Sequence, residues 1–327
     1  MLRVLAILLL IAALWLAWGL LLPLAPPGPQ VLLFPSGSSS KAMAAQLQSA
    51  GVVRSAAAFQ LLHHAFPRRT LKAGEYRFDG AASGIRVFRR LVRGDVVIHT
   101  VVVPEGYNIF EIAAAVEAAG LGEKENFLEA ASQETGLVRD LDPEAKSLEG
   151  YLFPDTYLFT RTMSMRDMTA AMVRRFRKEA QALGLNHEVH RIVTLASIVE
   201  KETAAPEERA EIASVYTNRL ARNMPLAADP TVVYAAQVQG AYRGTIYQSD
   251  LQSDSAYNTY RFAGLPPGPI ANSGAASLRA AMQPAQTDYL FFVAAGDGSG
   301  RHHFSTTFEQ HERNVIAYRK AMRDQNH

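Results

Sequence analysis

The N-terminal segment restricts what this chain of 327 residues can fold into more than any other part of it. From Val4 to Leu22 the sequence has no charged residue and consists almost entirely of Leu, Ile, Ala, Val and Trp. A helix over this stretch extends roughly 28 Å, which is enough to cross the hydrocarbon core of a bilayer. Arg3 and the terminal amine place positive charge on the short side. The pattern therefore predicts a cytoplasmic N-terminus, with the rest of the chain on the other side of the membrane.

A cleaved signal peptide is the alternative interpretation of this segment. The apolar run is longer than the core of such a peptide usually is. Pro26 and Pro27 also follow the pair Leu24-Ala25, which is where cleavage would have to occur. We therefore expect an uncleaved anchor over residues 1–24. The Pro23–Pro29 stretch suits an exit into the interface and a stiff stalk.

Composition excludes several classes of function. The formal net charge is +2, and no Lys/Arg-rich block supports nucleic-acid binding. The densest basic stretches are Arg68 and Arg69, and then Arg86, Arg89, Arg90 and Arg93. We prefer a solvated helix face to a binding patch as their explanation. Because the chain has no cysteine, disulfides, thiolate metal sites and cysteine nucleophiles are excluded.

The first half of the chain contains an internal repeat with an offset of 69 residues. A Pro-x-Gly turn at residues 35–37 recurs at residues 104–106. In each copy a short strand precedes the turn (Val31–Phe34 and Thr100–Val103), and an amphipathic helix that ends at glycine follows it. In the second copy the helix should bury Ile109, Ile112, Ala113 and Val116, which recur with helical periodicity.

Between the copies the pattern predicts a helix at Phe59–Phe66, a strand at Gly74–Phe78 and a helix at Ile85–Leu91. Small units of this kind resemble LysM modules, which grip the N-acetyl groups of glycan chains. A spacer domain without a ligand is an equally weighted alternative.

Later segments predict further helices and one hairpin. The helices are Lys124–Gln133, Met165–Leu183 and a final one capped by Thr307 and Gln310, and the hairpin joins Asp288–Ala295 to Arg301–Ser305. The final helix should bury Phe308, Val315, Tyr318 and Met322. The predicted strands pair locally and do not alternate with helices as in the βαβ units of a parallel sheet. This pattern indicates the α+β class.

The segment Arg191–Thr203 carries the main catalytic candidate. Leu195, Ile198, Val199 and Glu202 fall on one face of a helix, so Glu202 ends an apolar stripe while Glu200 points elsewhere. A carboxyl beside an apolar wall keeps its proton to higher pH, as a general acid for glycosidic cleavage must. A helix-end glutamate paired with Lys or Arg is the plain structural alternative.

Two further segments have chemistry suited to sugars. Tyr257–Tyr260 and Gly264–Asn272 combine aromatic rings and amides with few charges, and the aromatic run Glu149–Tyr157 should form a strand and turn. Each of these could equally be a packed structural segment. Asp229 before Pro230 reads as the N-cap of a helix. His302 and His303 are adjacent in a strand, point to opposite faces and cannot chelate one metal ion.

These stretches, taken in order, resemble the endolytic murein transglycosylases of the MltG/YceG family, and the resemblance covers almost the whole chain. The matching segments are 71–76, 149–157, 196–203, 229–231, 256–260 and 264–268. The resemblance implies a single-pass inner-membrane protein with an anchor at 1–24, a LysM-like or linker module at 25–99 and a periplasmic catalytic domain at 100–327.

The resemblance also implies the site residues and the reaction. The family's catalytic glutamate corresponds to Glu202. The residues expected to bind substrate are Tyr151, Asp155, Thr203, Asp229, Thr231, Tyr257, Asn258, Tyr260, Pro266 and Asn272. Cleavage between N-acetylmuramic acid and N-acetylglucosamine would leave 1,6-anhydro ends, without water, metal or cofactor. Expected partners are peptidoglycan glycan strands, the inner membrane and peptidoglycan synthases. A lysozyme-like hydrolase and a non-catalytic glycan-binding scaffold remain alternatives.

Overall fold

The computed structural model describes residues 1–203 and 205–325, which form two compact units. The first unit contains residues 1–100 and 158–164, and the second contains residues 101–157 and 165–327. The chain passes from one unit to the other within two strands, β3 (His99–Val103) and β4 (Asp155–Phe159), which pair with each other. The α+β class is confirmed, because among the described residues the strands form three two-stranded sheets beside many helices.

The first unit holds six elements ahead of β3. They are α1 (Leu2–Leu20), β1 (Gln30–Phe34), α2 (Ser40–Ser49), α3 (Ala56–Ala65), β2 (Gly74–Phe78) and α4 (Gly84–Arg93). The second unit continues with α5 (Ile109–Ala118), α6 (Lys124–Gln133), α7 (Met165–Leu183), α8 (Val189–Glu202), α9 (Arg209–Ala221), α10 (Asp229–Val238), α11 (Gln248–Leu251), α12 (Ala275–Met282), β5 (Phe291–Ala294), β6 (His302–Ser305) and α13 (Phe308–Gln325).

In the first unit a β–α–α–β run closes on itself, because β1 and β2 pair antiparallel with Leu32 opposite Tyr76. Alternate strand residues Leu32, Phe34, Tyr76 and Phe78 face the core, as the two-residue period of a strand requires. Helices α2 and α3 each begin at a serine whose side chain accepts a backbone N–H, which satisfies one donor of the first turn. Identification of this unit as a LysM-like module remains a prediction.

The end of α1 packs closely on the starts of α3 and α4, and this corrects the prediction of a stiff stalk after the anchor. A Cβ on Gly19 would lie 2.9 Å from that of Ala58, and one on Gly84 would lie 3.0 Å from the Gly19 carbonyl. Only glycine permits so close an approach at both positions. Beyond the helix, Leu24 and Ala82 form a β-bridge. The proline segment is therefore attached to the unit from its first residues.

Helix α8 lies at the centre of the second unit. Every residue from Ile192 to Val199 is buried, and the helix packs against α9, α10 and α12. A helix apolar on all sides is one surrounded by other elements. The expected apolar stripe is therefore present but is not unique to one face, and both glutamates at its C-terminal end are held among neighbouring elements.

Most predicted elements of the second unit are confirmed, with exceptions near the C-terminus. The stripe of Ile109, Ile112, Ala113 and Val116 is buried, and α6 and α7 have the predicted bounds. In α13 the expected buried stripe is wrong, because Phe308 is 60% exposed and Met322 38% exposed. That helix covers a two-stranded hairpin, which is too small to bury a full helical face.

Candidate active site

Glu202 is the last residue of α8 and lines a cavity of about 310 Å³. Thr203 leaves the helical conformation there, and its hydroxyl accepts the backbone N–H of Ala205 at 2.9 Å, which turns the chain toward α9. The other residues that line the cavity come from five later segments. They are Tyr216, Arg219, Ala227, Asp229, Tyr260, Phe292 and His311. Among the described residues, Leu195, Ile198 and Val199 are buried beneath the site and are outside that lining.

Tyr216 fixes the position of the Glu202 carboxyl. Its hydroxyl donates to Glu202 Oε1 at 2.5 Å, and the ring is fully buried with its edge against Phe292. One turn along α9, Arg219 donates to the carbonyls of Leu226 and Leu290, both at 2.7 Å. Neither bond neutralises the guanidinium. A positive charge is therefore held at the cavity wall by backbone oxygens.

Burial raises the pKa of the Glu202 carboxyl above its ordinary value. The Tyr216 hydrogen bond lowers that pKa, the nearby charge of Asp229 raises it, and His302 and Arg219 lower it. The negative end of the α8 dipole also disfavours a carboxylate at this position. The site therefore favours the protonated acid while keeping one carboxylate-stabilising donor in place, which suits a group that gives up a proton and later takes one back.

Asp229 does not cap α10, and that expectation is corrected. The helix starts at Asp229 itself, with Ala228 as the capping residue and no side-chain cap bond. The carboxylate instead accepts a hydrogen bond from the Tyr260 hydroxyl at 2.5 Å, on the exposed side of the cavity. Asp229 and Tyr260, both predicted to bind substrate, thus line the same cavity as Glu202.

Sequence reasoning missed five of the lining residues: Tyr216, Arg219, Ala227, Phe292 and His311. Tyr216 and Arg219 are three residues apart on one helix, which is a detectable signal because both are polar side chains beside the buried Ile212 and Val215. Phe292 and His311 come from β5 and α13, and no local pattern links them to Glu202. The ring of His311 stacks on Phe291 at 5.2 Å, and burial lowers its pKa.

Glu200, two residues before Glu202, has a structural role. Its carboxylate accepts from Arg209 Nη2 at 3.2 Å and from the backbone N–H of Gly274 at 2.9 Å, and its side chain is 4% exposed. The helix-end glutamate paired with arginine, considered as an alternative for Glu202, is thus realised at Glu200.

Several residues predicted to bind substrate hold the second unit together and lie outside the cavity lining. Tyr151 is buried and donates to Asp142. Asn272 is buried between Tyr107, Glu149 and Leu152, with hydrogen bonds of 3.0, 2.8 and 2.8 Å.

Most of the other residues predicted to bind substrate make structural contacts in loops and at helix starts. Thr231 bonds the Ala228 carbonyl and Thr259, Asn258 donates to the carbonyls of Leu251 and Ser253, and Asp155 pairs with Arg175. Tyr257 packs on Tyr234 with ring centroids 4.9 Å apart, and Pro266 is buried. A substrate contact at any of these positions remains a prediction.

The sequence profile of the YceG-like family matches residues 32–317, which is most of the chain. The chain belongs to the YceG-like family. A yceG-like protein from Listeria monocytogenes, whose crystal structure is known, superposes with a TM-score of 0.57 at 33% identity, over 87% of this chain and 98% of that one.

Curated relatives of this YceG-like chain carry the name endolytic murein transglycosylase. The protein of that name from Bacillus subtilis (strain 168) is 34% identical over 300 residues, which cover 85% of this chain and 82% of the relative. That from Streptococcus pneumoniae serotype 2 is 30% identical over 320 residues, which cover 87% of this chain and 57% of the longer pneumococcal protein.

Proposed function

We propose that this YceG-like protein is an endolytic lytic transglycosylase, which cleaves the β-1,4 bond between N-acetylmuramic acid and N-acetylglucosamine in nascent glycan strands and leaves 1,6-anhydro ends. The observation that carries the proposal is the Glu202 carboxyl, whose pKa is raised by burial and which lines a cavity in a chain related to endolytic murein transglycosylases. Its role would be cell-wall assembly and termination of glycan chains.

The reaction needs one carboxyl group that changes its protonation state. Protonated Glu202 donates to the glycosidic oxygen as the bond from C1 to that oxygen breaks. The resulting carboxylate then takes the proton from the C6 hydroxyl of the same muramic acid, whose oxygen bonds C1 and closes the anhydro ring. No water is consumed, because the nucleophile belongs to the substrate. Tyr216 would hold the carboxyl in place through both steps.

A lysozyme-like hydrolase is the second candidate, and the position of Asp229 favours it. Since Asp229 is not a cap and lines the same cavity as Glu202, a second carboxylate is available to activate a water molecule. In the transglycosylase Asp229 would act through its charge, which raises the pKa of Glu202. The two candidates therefore differ in what Asp229 does and in the ends that they release.

Product mass spectrometry with purified glycan strands separates the candidates. A transglycosylase releases anhydro ends and a hydrolase releases reducing ends that carry one added water. We expect anhydro ends from the wild type and from Asp229→Asn, and no cleavage by Glu202→Gln. Reducing ends that disappear in Asp229→Asn would establish the hydrolase. Full cell-wall function of Glu202→Gln would instead support a non-catalytic scaffold.

Membrane attachment is part of the proposal. Helix α1 is long and apolar enough to cross a bilayer. We infer a single-pass inner-membrane protein with a cytoplasmic N-terminus, a LysM-like or linker module, a periplasmic catalytic domain, and peptidoglycan synthases as partners. Cysteine scanning with a membrane-impermeant thiol reagent tests the orientation, since the native chain has no cysteine. Labelling at residue 139 without labelling at residue 2 is the expected result.

A further inference from the structure

The small net charge of the whole chain hides a strong separation of charge between its two units. The first unit, residues 1–100 and 158–164, carries 12 Lys and Arg against 3 Asp and Glu, a net charge of +9. The whole chain has 33 against 31, so the second unit carries 21 against 28, a net charge of −7. A unit this basic is attracted to an anionic surface, and the acidic unit is repelled by one.

The basic unit also contains a groove with a partly apolar lining. It has a volume of about 460 Å³ and lies between α3 and α4, where Leu62, Phe66 and Phe88 are among its apolar lining residues. Arg69, Arg89 and Arg93 line the same groove. Arg93 pairs with Asp95, whereas no acidic side chain of the described residues lies within ion-pair distance of Arg69 or Arg89. The two free guanidinium groups beside exposed apolar surface match a ligand with an anionic head and an apolar tail.

The anchor brings this groove close to the bilayer. The end of α1 touches the starts of α3 and α4, and Arg54 bonds the Pro23 carbonyl at 3.0 Å and lies over Trp18. Helix α4 is ten residues long, so all of it lies within about 15 Å of the level at which α1 ends. Arg89 and Arg93 are thus within about one or two Debye lengths of the lipid headgroups, where attraction to anionic lipids is felt, and Arg69 lines the same groove.

We propose that the groove between α3 and α4 binds the headgroup and upper acyl chain of an anionic phospholipid from the bilayer that α1 crosses. Arg69 and Arg89 would bind the phosphate, and Leu62, Phe66 and Phe88 would contact the chain. Lipid binding would hold the basic unit against the membrane. The proposal rests on membrane anchorage through α1 and does not depend on the proposed cleavage reaction.

Native mass spectrometry of the full chain in neutral detergent tests the proposal. This measurement of lipid binding requires neither insertion of α1 into a bilayer nor cleavage of glycan strands. The Glu202→Gln background removes catalysis, and phosphatidylglycerol is titrated beside zwitterionic phosphatidylcholine. We expect one tighter site for phosphatidylglycerol. Arg69→Gln with Arg89→Gln should weaken it roughly 25-fold at low salt, about 5-fold for each lost charge. The matched pair Arg139→Gln with Arg174→Gln, two exposed arginines of the other unit, should leave binding unchanged.

Two further arms identify the ligand. Arg69→Lys with Arg89→Lys should retain most of the affinity, because lysine keeps the charge, and Phe66→Ser should weaken phosphatidylglycerol binding because it removes apolar contact. Glycerol phosphate at the same concentration as the lipid should not displace it. Equal affinity for both lipids, no effect of Arg69→Gln with Arg89→Gln, or displacement by glycerol phosphate would overturn the proposal. A loss of glycan-strand binding in that variant, with lipid binding intact, would assign the groove to glycan instead.

Discussion

Replacing Tyr216 by Phe should move the alkaline limb of the pH–rate profile to higher pH. In the proposed mechanism the limb marks the loss of the proton from Glu202, since only the protonated acid would begin the reaction. The Tyr216 hydroxyl donates to Glu202 Oε1 at 2.5 Å and lowers the pKa of that carboxyl. Phenylalanine keeps the ring and its contact with Phe292 but removes the donor, so the pKa should rise further.

The expected shift follows from the strength of one hydrogen bond. A bond to a charged acceptor contributes about 1.5–3 kcal/mol, and one to a neutral acceptor contributes about 1 kcal/mol. The carboxylate therefore loses roughly 0.5–2 kcal/mol more than the protonated acid does, with a middle value of about 1.3 kcal/mol. Because one pKa unit corresponds to about 1.4 kcal/mol, the limb should move up by about one pH unit.

The assay is kcat/KM against pH on glycan strands of defined length, which reports the free enzyme. Asp229→Asn should move the limb in the opposite direction, since the charge of Asp229 raises the pKa of Glu202. Tyr318→Phe, in α13 and outside the cavity lining, controls for a general loss of phenol hydroxyls. A limb that stays in place in Tyr216→Phe, or moves down, would refute this account of how the carboxyl is tuned.

Three other predictions concern stability and processing. Glu202→Gln should abolish cleavage and leave the fold intact. Glu200→Gln should instead lower the free energy of unfolding, measured in denaturant titrations, by on the order of 3 kcal/mol, because it breaks the buried ion pair with Arg209. Burial raises the pKa of Glu149 to about 8, so the folded protein keeps a proton that the unfolded chain loses above about pH 4.5. The free energy of unfolding should therefore fall by roughly 1.4 kcal/mol per pH unit between about pH 5 and 8, and Glu149→Gln should remove that slope. The intact mass of the membrane-bound protein should include residues 1–24, and a soluble form beginning near Pro26 would contradict the anchor.

Elements defined by local signals were predictable from the sequence. Helix α5 has an Asn108 cap, a buried stripe of helical period and a glycine after its end, and all three are short-range features. The repeat located β1 and β3 for the same reason. For α13, by contrast, the period of apolar residues was present, but burial depended on how much surface the hairpin offered.

The site was only partly predictable because its chemistry is assembled from distant segments. Glu202 was predicted as the acid from its place at the end of an apolar helix, and the structure places it in the lining of a cavity, while its catalytic role stays a prediction. Asp229 was read as a cap, since the local Asp-Pro pattern is typical of one, and only the tertiary bond to Tyr260 shows otherwise. Asn272 and Tyr151 were chosen for their chemistry, yet a buried amide or phenol must satisfy its hydrogen bonds, and both do so within the core.

The cavity beside Glu202 depends on chain that is synthesised about a hundred residues later. Phe292 belongs to the hairpin and His311 to the final helix, and both form part of its wall. In an unfolded chain a glutamate has its ordinary pKa. Phe292 and His311 join Glu202 at the cavity only when the hairpin and the final helix have folded against the rest of the unit. The raised pKa of Glu202 is therefore a property of the folded unit and not of its own helix. A chain truncated before residue 292 would carry the glutamate without part of its cavity wall.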